Sequence, residues 1–423
     1  MLIRYKYRMG KSQTATYDPN AAALNNASIQ AGTHERYQIP YYIGELWTAR
    51  QRQMHPIHYT ISYRASFKPE LPDFFIQRFL GERKAATVLD PFGGRGTTIL
   101  QSNLSGHRGI HNDRNPVSVF LARSRQHIPS LSRLIDFVNQ LDLESTEIKI
   151  PAKDRARLSP FFHPRTLRQI ISLREQFLNR KAENEAEWNY TMLTALSRLH
   201  GHSDGFFSIY SFPQISILPS AQERNNRIRG QKPEFRDIKE RIIKKMTLDL
   251  GRGIPADYNR VARRNRYISC DSRDLAGVRR NSVDLVITSP PFLNKVNYYQ
   301  DNWMRAWFLG MEDSIQAEDL VMTPDISEWC AFMADTIREL GRVLRPGGIA
   351  VIEVGEVKAG KAIVNLEELM MENMPGALPG GGRVRPRAVF INAQQFTKLA
   401  NCWDVTNNQK GTNTNRCLII EKT

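Results

Sequence analysis

The stretch Ala85-Ala86-Thr87-Val88-Leu89-Asp90-Pro91-Phe92-Gly93-Gly94-Arg95-Gly96-Thr97-Thr98-Ile99-Leu100-Gln101 decides the fold. A short apolar run of strand type ends in an acid, a glycine-rich turn follows, and two threonines open a helix. Glycines at such a turn let a ligand approach the backbone and leave the helix N-terminus facing a polar group. A second short strand, Arg108-Gly109-Ile110-His111-Asn112-Asp113, also ends in an acid, and Asn115-Pro116 turns the chain into a helical run from Val117 to Arg125. Strand, glycine turn, helix, strand, acid is the opening of a doubly wound α/β domain, with Asp113 placed to accept from ribose hydroxyls. The dinucleotide pattern G-x-G-x-x-G is absent.

Outward from this opening the chain changes character. Upstream, Leu71 to Leu80 carries apolar residues at helical spacing, whereas residues 1 to about 45 are polar and aperiodic. Residues 1–58 therefore read as an N-terminal arm. Downstream, 127–265 is rich in helix formers and arginine and lacks the strand–helix rhythm. Between 151 and 265 there are 22 Lys and Arg against 12 Asp and Glu, ten of the net sixteen positive charges of the whole chain. This segment reads as a basic, mostly helical insertion, with aromatic residues interleaved at Phe206, Phe207, Tyr210 and Phe212.

The rhythm resumes at Arg266. Tyr267–Cys270 reads as a strand ending at Asp271, and Val283–Thr288 as one ending at Ser289. A helix near 327–344 is stopped by Arg345-Pro346-Gly347-Gly348, and a strand runs from Ile349 to Val354. Gly380–Gly382 with Arg383, Arg385 and Arg387 reads as a basic surface loop. Residues 59–126 and 266–423 thus form one α/β domain around the insertion at 127–265.

The second decisive stretch is Thr288-Ser289-Pro290-Pro291-Phe292. Consecutive prolines have no N–H, so their carbonyls point away without competing local donors. Beside them Ser289 offers another acceptor, and Phe292 a flat face for a planar base. An amino nitrogen that must leave conjugation, attack a methyl group and shed a proton needs this set.

DPFGGRGTT and TSPPF resemble motifs I and IV of the amino-methylating DNA methyltransferases, which act on N4 of cytosine or N6 of adenine. Ser66-Phe67-Lys68-Pro69-Glu70-Leu71 resembles their motif X, Gly109–Asp113 with Asn115-Pro116 motif II, and Asp271-Ser272 motif III. The resemblance covers about 59–125 and 266–355. It implies a Rossmann-like sheet and S-adenosylmethionine as cofactor, held by Phe67, Lys68, Asp90, Phe92, Gly94, Gly96, Thr97, Asp113, Asp271 and Ser272. Ser289, Pro290, Pro291 and Phe292 would carry the direct, in-line transfer. Ser-Pro-Pro-aromatic resembles mostly the cytosine-N4 branch. Adenine N6, an RNA substrate and a non-catalytic DNA-binding subunit remain as alternatives. The motif order differs from many relatives, so recognition is assigned to 127–265 from charge and composition, not from the resemblance.

Double-stranded DNA is the expected partner, consistent with 59 Lys and Arg against 43 Asp and Glu. The target base would be flipped from the stack. Arg224, Arg227, Arg229, Lys232, Arg383 and Arg385 are candidates for phosphate contacts. The resemblance also implies a restriction–modification setting, with a cognate endonuclease acting separately. The four cysteines, Cys270, Cys330, Cys402 and Cys417, form no CxxC pair, so neither a disulfide framework nor a metal site is expected. His200-Gly201-His202-Ser203-Asp204 reads as a loop that touches DNA or caps a helix. No run of about 18 apolar residues is present, and a cytoplasmic protein with no membrane partner follows as the expectation.

Overall fold

A computed structural model describes residues 29–47, 53–145, 148–212, 217–291, 298–314, 323–359, 362–376, 378, 382–393 and 414–423. The strands are β1 (Gln30–Thr33), β2 (Pro40–Gly44), β3 (Thr87–Asp90), β4 (Arg108–Asn112), β5 (Arg266–Ile268), β6 (Val283–Thr288), β7 (Leu344–Val354), β8 (Glu356–Ala359), β9 (Ala362–Asn365), β10 (Val384–Ala393) and β11 (Thr414–Lys422). Nine of them form one sheet in the order β1-β2-β10-β11-β7-β6-β3-β4-β5, and β8 and β9 form a separate hairpin. Strands β5, β4, β3, β6 and β7 are parallel, β11 runs against β7 and β10, and β2 is parallel to β10.

Both faces of the sheet are covered, as near-continuous apolar strands require. Leu89, Val286, Ile352 and Leu418 face one layer, sealed by the helix Ile326–Val343. Their neighbours Val88, Leu285, Ile287, Val351 and Ile419 face the other, sealed by the helix Glu70–Leu80. The period of two along each strand allots successive residues to opposite layers. From β3 the chain winds outward to β4 and β5, then returns to lay β6 against the other side of β3. The crevice at that reversal, beyond the carboxyl ends of β3 and β6, is where such sheets bind ligands.

Two expectations change. The N-terminal arm is partly structured: Gln30–Thr33 and Pro40–Gly44 extend the sheet at its edge. Tyr42 stacks on Phe390 with centroids 4.7 Å apart, and Gly32 lies under the ring of its cross-strand partner Tyr41. An edge strand held by two aromatic contacts leaves no alternating pattern to read. Arg385 and Arg387 lie in β10 rather than in a loop, and both pair with Glu421. Gly380 and Gly381 fall outside the described residues.

The segment 127–265 is helical among its described residues, with helices at Leu131–Gln140, Ala152–Leu158, Pro164–Leu178, Glu185–Arg198, Pro219–Arg229, Ile238–Leu250 and Tyr258–Ala262. Its core is not its own. Leu134, Phe161, Ile170, Met192 and Ile242 share one apolar cluster with Ile57, Ile61, Leu100, Val117 and Leu121, and with Trp307 and Phe308 of the helix Trp303–Leu309. No helix among the described residues is long and apolar enough to cross a membrane.

Candidate active site

A cleft of about 870 Å³ opens at the carboxyl ends of the parallel strands. Its floor is the turn after β3. Gly94 takes a left-handed conformation (φ +50°), which a residue with a Cβ adopts only with strain, and its N–H donates to Asp113 Oδ2 at 2.8 Å. Asp113 Oδ1 accepts from the N–H of Asn115 at 2.9 Å. Two backbone donors therefore aim this carboxylate, while burial raises its pKa. Behind the turn, His111 Nε2–H and Ser118 Oγ are 3.2 Å apart, and the Ser118 hydroxyl donates to the Gly94 carbonyl at 2.5 Å. A Cβ on Gly93 would lie 2.1 Å from the His111 ring, so only glycine fits there.

Asn112 ties the strand ends together. Its Nδ2 donates to the carbonyls of Pro91 (3.0 Å) and Cys270 (3.1 Å), and its Oδ1 accepts from the Cys270 N–H (2.8 Å). The far wall carries Asp271, paired with Arg273 through both carboxylate oxygens, which holds its carboxyl below the usual range. Phe92 and Phe332 form an apolar side with centroids 5.8 Å apart.

Tyr63 and Tyr298 line the opposite side, nearly parallel at 22° with centroids 6.3 Å apart. The segment carrying Tyr63 is pinned from both directions. Asn115 donates to the Tyr63 hydroxyl, Arg305 donates to the Ser62 carbonyl at 2.7 Å, and Arg64 pairs with Asp301. Arg95 donates to the carbonyls of Ile61 and Phe67, and burial lowers its pKa to about 10.

Of the residues expected at the site, Phe67, Phe92, Gly94, Thr97, Asp113, Asp271, Ser272, Ser289 and Pro291 line this one cleft. Lys68, Asp90, Gly96 and Pro290 are not in its wall. Asp90 is buried beneath the turn, where its Oδ1 accepts from the Phe92 N–H and the Thr288 hydroxyl and burial raises its pKa to about 6. Gly96 (φ +82°) packs against Ala122 and starts the helix Thr97–Leu104. The Pro291 carbonyl is not free of donors, since it accepts from the Trp329 indole N–H at 3.0 Å. No bond to the Ser289 hydroxyl or the Pro290 carbonyl occurs among the described residues. Phe292, Asn294 and Asn297 lie outside them.

Tyr63 and Phe332 went unnoticed in the sequence, and Asn112 and Cys270 were given no role at the site. Asn112 follows an apolar strand and precedes the acid, the one local cue that could have marked it.

Arg224, Arg227 and Arg229 lie on the helix Pro219–Arg229, whose Ile228 is 72% exposed, and Lys232 follows its Gly230 cap. Arg224, Arg227 and Lys232 are exposed, while Arg229 stacks over the Tyr210 ring at 3.8 Å. The chain leading into this helix is anchored by the Trp303 indole N–H on the Ile217 carbonyl. Arg383 bonds through its backbone to Thr423. His200 is half-buried, and desolvation lowers its pKa to about 3. No group of His, Cys, Asp or Glu among the described residues could hold a metal ion, and the described cysteines are free.

No protein-family model matches the chain. Over 292 residues it is 23% identical to the type II methyltransferase M.BsoBI of Geobacillus stearothermophilus, covering 61% of this chain and 53% of that protein. The chain thus spans about half the length of the curated relative it matches. Similar solved structures include TrmN from Thermus thermophilus, at 13% identity over 85% of this chain and 50% of that one with a TM-score of 0.33. Another is the rRNA methyltransferase aviRa from Streptomyces viridochromogenes, at 13% identity over 84% and 85% with a TM-score of 0.27.

Proposed function

We propose that the chain is an S-adenosylmethionine-dependent DNA methyltransferase that methylates an exocyclic amino nitrogen, cytosine N4 in the first instance. The observation that carries this reading is the convergence of Ser289 and Pro291 with Gly94, Asp113 and Asp271 on one cleft at the sheet's reversal point. The likeness to a type II methyltransferase supports it, and a restriction–modification setting goes with it.

The cleft suits a nucleoside with a charged amino-acid tail. The glycine turn presents backbone without side chains, carboxylates stand beyond β4 and β5, and Phe92 and Phe332 offer an apolar face. Asp113 would accept from ribose hydroxyls, Asp271 and Ser272 would meet the base, and Phe67 and Thr97 would close the remaining walls. When bound, S-adenosylmethionine supplies an electrophilic methyl group.

The protein's part in the transfer is to orient the nucleophile. The Ser289 hydroxyl, in the cleft wall, accepts from the target amino group, which localises its lone pair. The proton then leaves the nitrogen towards this acceptor and solvent. The hydroxyl at 289, where aspartate or asparagine is usual in the adenine enzymes of the resembled family, favours cytosine. The base reaches the cleft by flipping, and the exposed cations of Pro219–Arg229 with Lys232 hold DNA phosphates.

The test is a reaction of methyl-labelled S-adenosylmethionine with unmodified duplex DNA, digested to nucleosides and read by mass spectrometry. N4-methylcytosine supports the full reading. N6-methyladenine keeps the chemistry and overturns the base, whereas label on RNA alone overturns the substrate.

A further inference from the structure

The turn after β6 has an orientation problem. Pro290 and Pro291 carry no N–H, so this part of the backbone cannot anchor itself by donating to its surroundings. Only its acceptors can be gripped, and one is: the Trp329 indole N–H donates to the Pro291 carbonyl at 3.0 Å. Trp329 is 1% exposed, so its indole N–H is held within the core and points to the turn from behind.

The helix that presents Trp329, Ile326–Val343, touches the cofactor side of the cleft along the same face. Phe332 lines the cleft beside Phe92. The Thr336 hydroxyl is 3.5 Å from that of Ser272. Glu339 accepts from the Leu275 N–H at 2.7 Å, and Arg342 donates to the carbonyls of Leu275 and Val278 at 3.0 Å. Residues 329, 332, 336 and 339 recur at intervals of three and four, which puts them on one helical stripe. One rigid element therefore grips both the segment following Asp271 and the turn that bears the acceptors.

We propose that Trp329 is a positioning residue for methyl transfer: by holding the Pro291 carbonyl it sets the direction of the Ser289 hydroxyl relative to the cofactor end of the cleft. The assignment rests on the methyl-transfer reading above. A buried tryptophan usually finds an acceptor for its N–H whatever its role, so the test must separate alignment from stability. A misplacement of about 1 Å at a reacting centre lowers a rate by as much as about a hundredfold.

The experiment compares wild type, Trp329→Phe and Trp329→His in single-turnover transfer from labelled S-adenosylmethionine to unmodified duplex DNA. Cofactor affinity is measured in parallel by calorimetry. Trp329→Phe, which keeps an aromatic ring and loses the donor, should slow transfer by about tenfold to a hundredfold. Its cofactor Kd should stay within about twofold of wild type, because the gripped carbonyl is on the transfer turn. Trp329→His, which keeps a ring N–H, should recover part of the rate. A Trp329→Phe rate equal to wild type overturns the role, and so does a loss of cofactor binding that matches the loss of rate. If Trp329→Phe does not fold by circular dichroism, Trp329→His decides alone: slowed transfer at unchanged Kd supports the role, and any other result overturns it. A wild type that transfers no label to DNA removes the reaction itself, and the role with it; an active wild type with an unaffected variant removes only the role.

Discussion

The Thr288 hydroxyl donates to Asp90 Oδ1 at 2.7 Å, joining the last residue of β6 to the last residue of β3 across the sheet's reversal point. Asp90 therefore acts beneath the cleft rather than in its wall. It fixes the glycine turn through the Phe92 N–H and the transfer turn through Thr288. Thr288→Val keeps the shape and leaves a buried carboxylate short of a donor. It should destabilise the protein by about 1–3 kcal/mol, read from urea unfolding. An unchanged midpoint would mean that the bond is replaced or unimportant.

Ser289→Ala and Asp113→Ala should separate rate from binding. The first should slow transfer with little change in cofactor affinity. The second should weaken affinity by about 1–3 kcal/mol, because it removes the acceptor aimed by the Gly94 and Asn115 amides. Calorimetry and single-turnover kinetics on both variants check this; equal losses of affinity would contradict the division of roles.

Buried titratable groups should make stability depend on pH, each with its own sign. His58 and His111 are buried and held neutral to about 3 by desolvation, whereas in the unfolded chain they titrate near 6.5. Their contribution is full above 6.5 and is lost as pH falls towards 3, at about 1.4 kcal/mol per pH unit for each. Asp90, raised to about 6, works the other way: its contribution is full below 3.8 and lost as pH rises through 6. Relative to wild type, the unfolding midpoint between pH 7 and 4 should change less towards instability with falling pH in His58→Gln and more in Asp90→Asn. Variant profiles parallel to wild type would refute the assignment.

Salt dependence of DNA binding should distinguish the basic residues. Arg224→Ala and Arg227→Ala should each reduce the slope of log K against log salt by about 1. Arg385→Ala should leave it unchanged, since that side chain already pairs with Glu421. A slope altered by Arg385 and not by Arg224 would move the DNA surface to the other end of the sheet.

The opening of the domain was legible because its elements obey local rules. An apolar strand ending in an acid, a glycine turn and a helix start are all written within seventeen residues, 85–101. Asp113, Asp271 and Ser289 could be placed at strand ends for the same reason. What escaped notice depends on partners far apart in the chain. Trp329 meets Pro291 across 38 residues and Asn112 meets Cys270 across 158, and no local period records either pairing. Asp90 shows the converse difficulty: its motif marks it as important, yet only burial reveals that it supports the site from below. The strands β1 and β2 were hidden because β2 joins the sheet by pairing with β10, a segment more than three hundred residues later, and β1 is held only through β2.

If 127–265 reads the target sequence, its shared core bears on how a new target could arise. Ile57, Leu100, Val117 and Leu121 lose their cover if that segment is exchanged at its sequence boundaries, since they pack directly against its helices. The segment is thus no detachable cassette, and grafting one from a relative would uncover part of the scaffold. New specificity is cheaper to reach through substitutions on an outward face such as Pro219–Arg229, where Arg224, Arg227 and Ile228 project without supporting the interior.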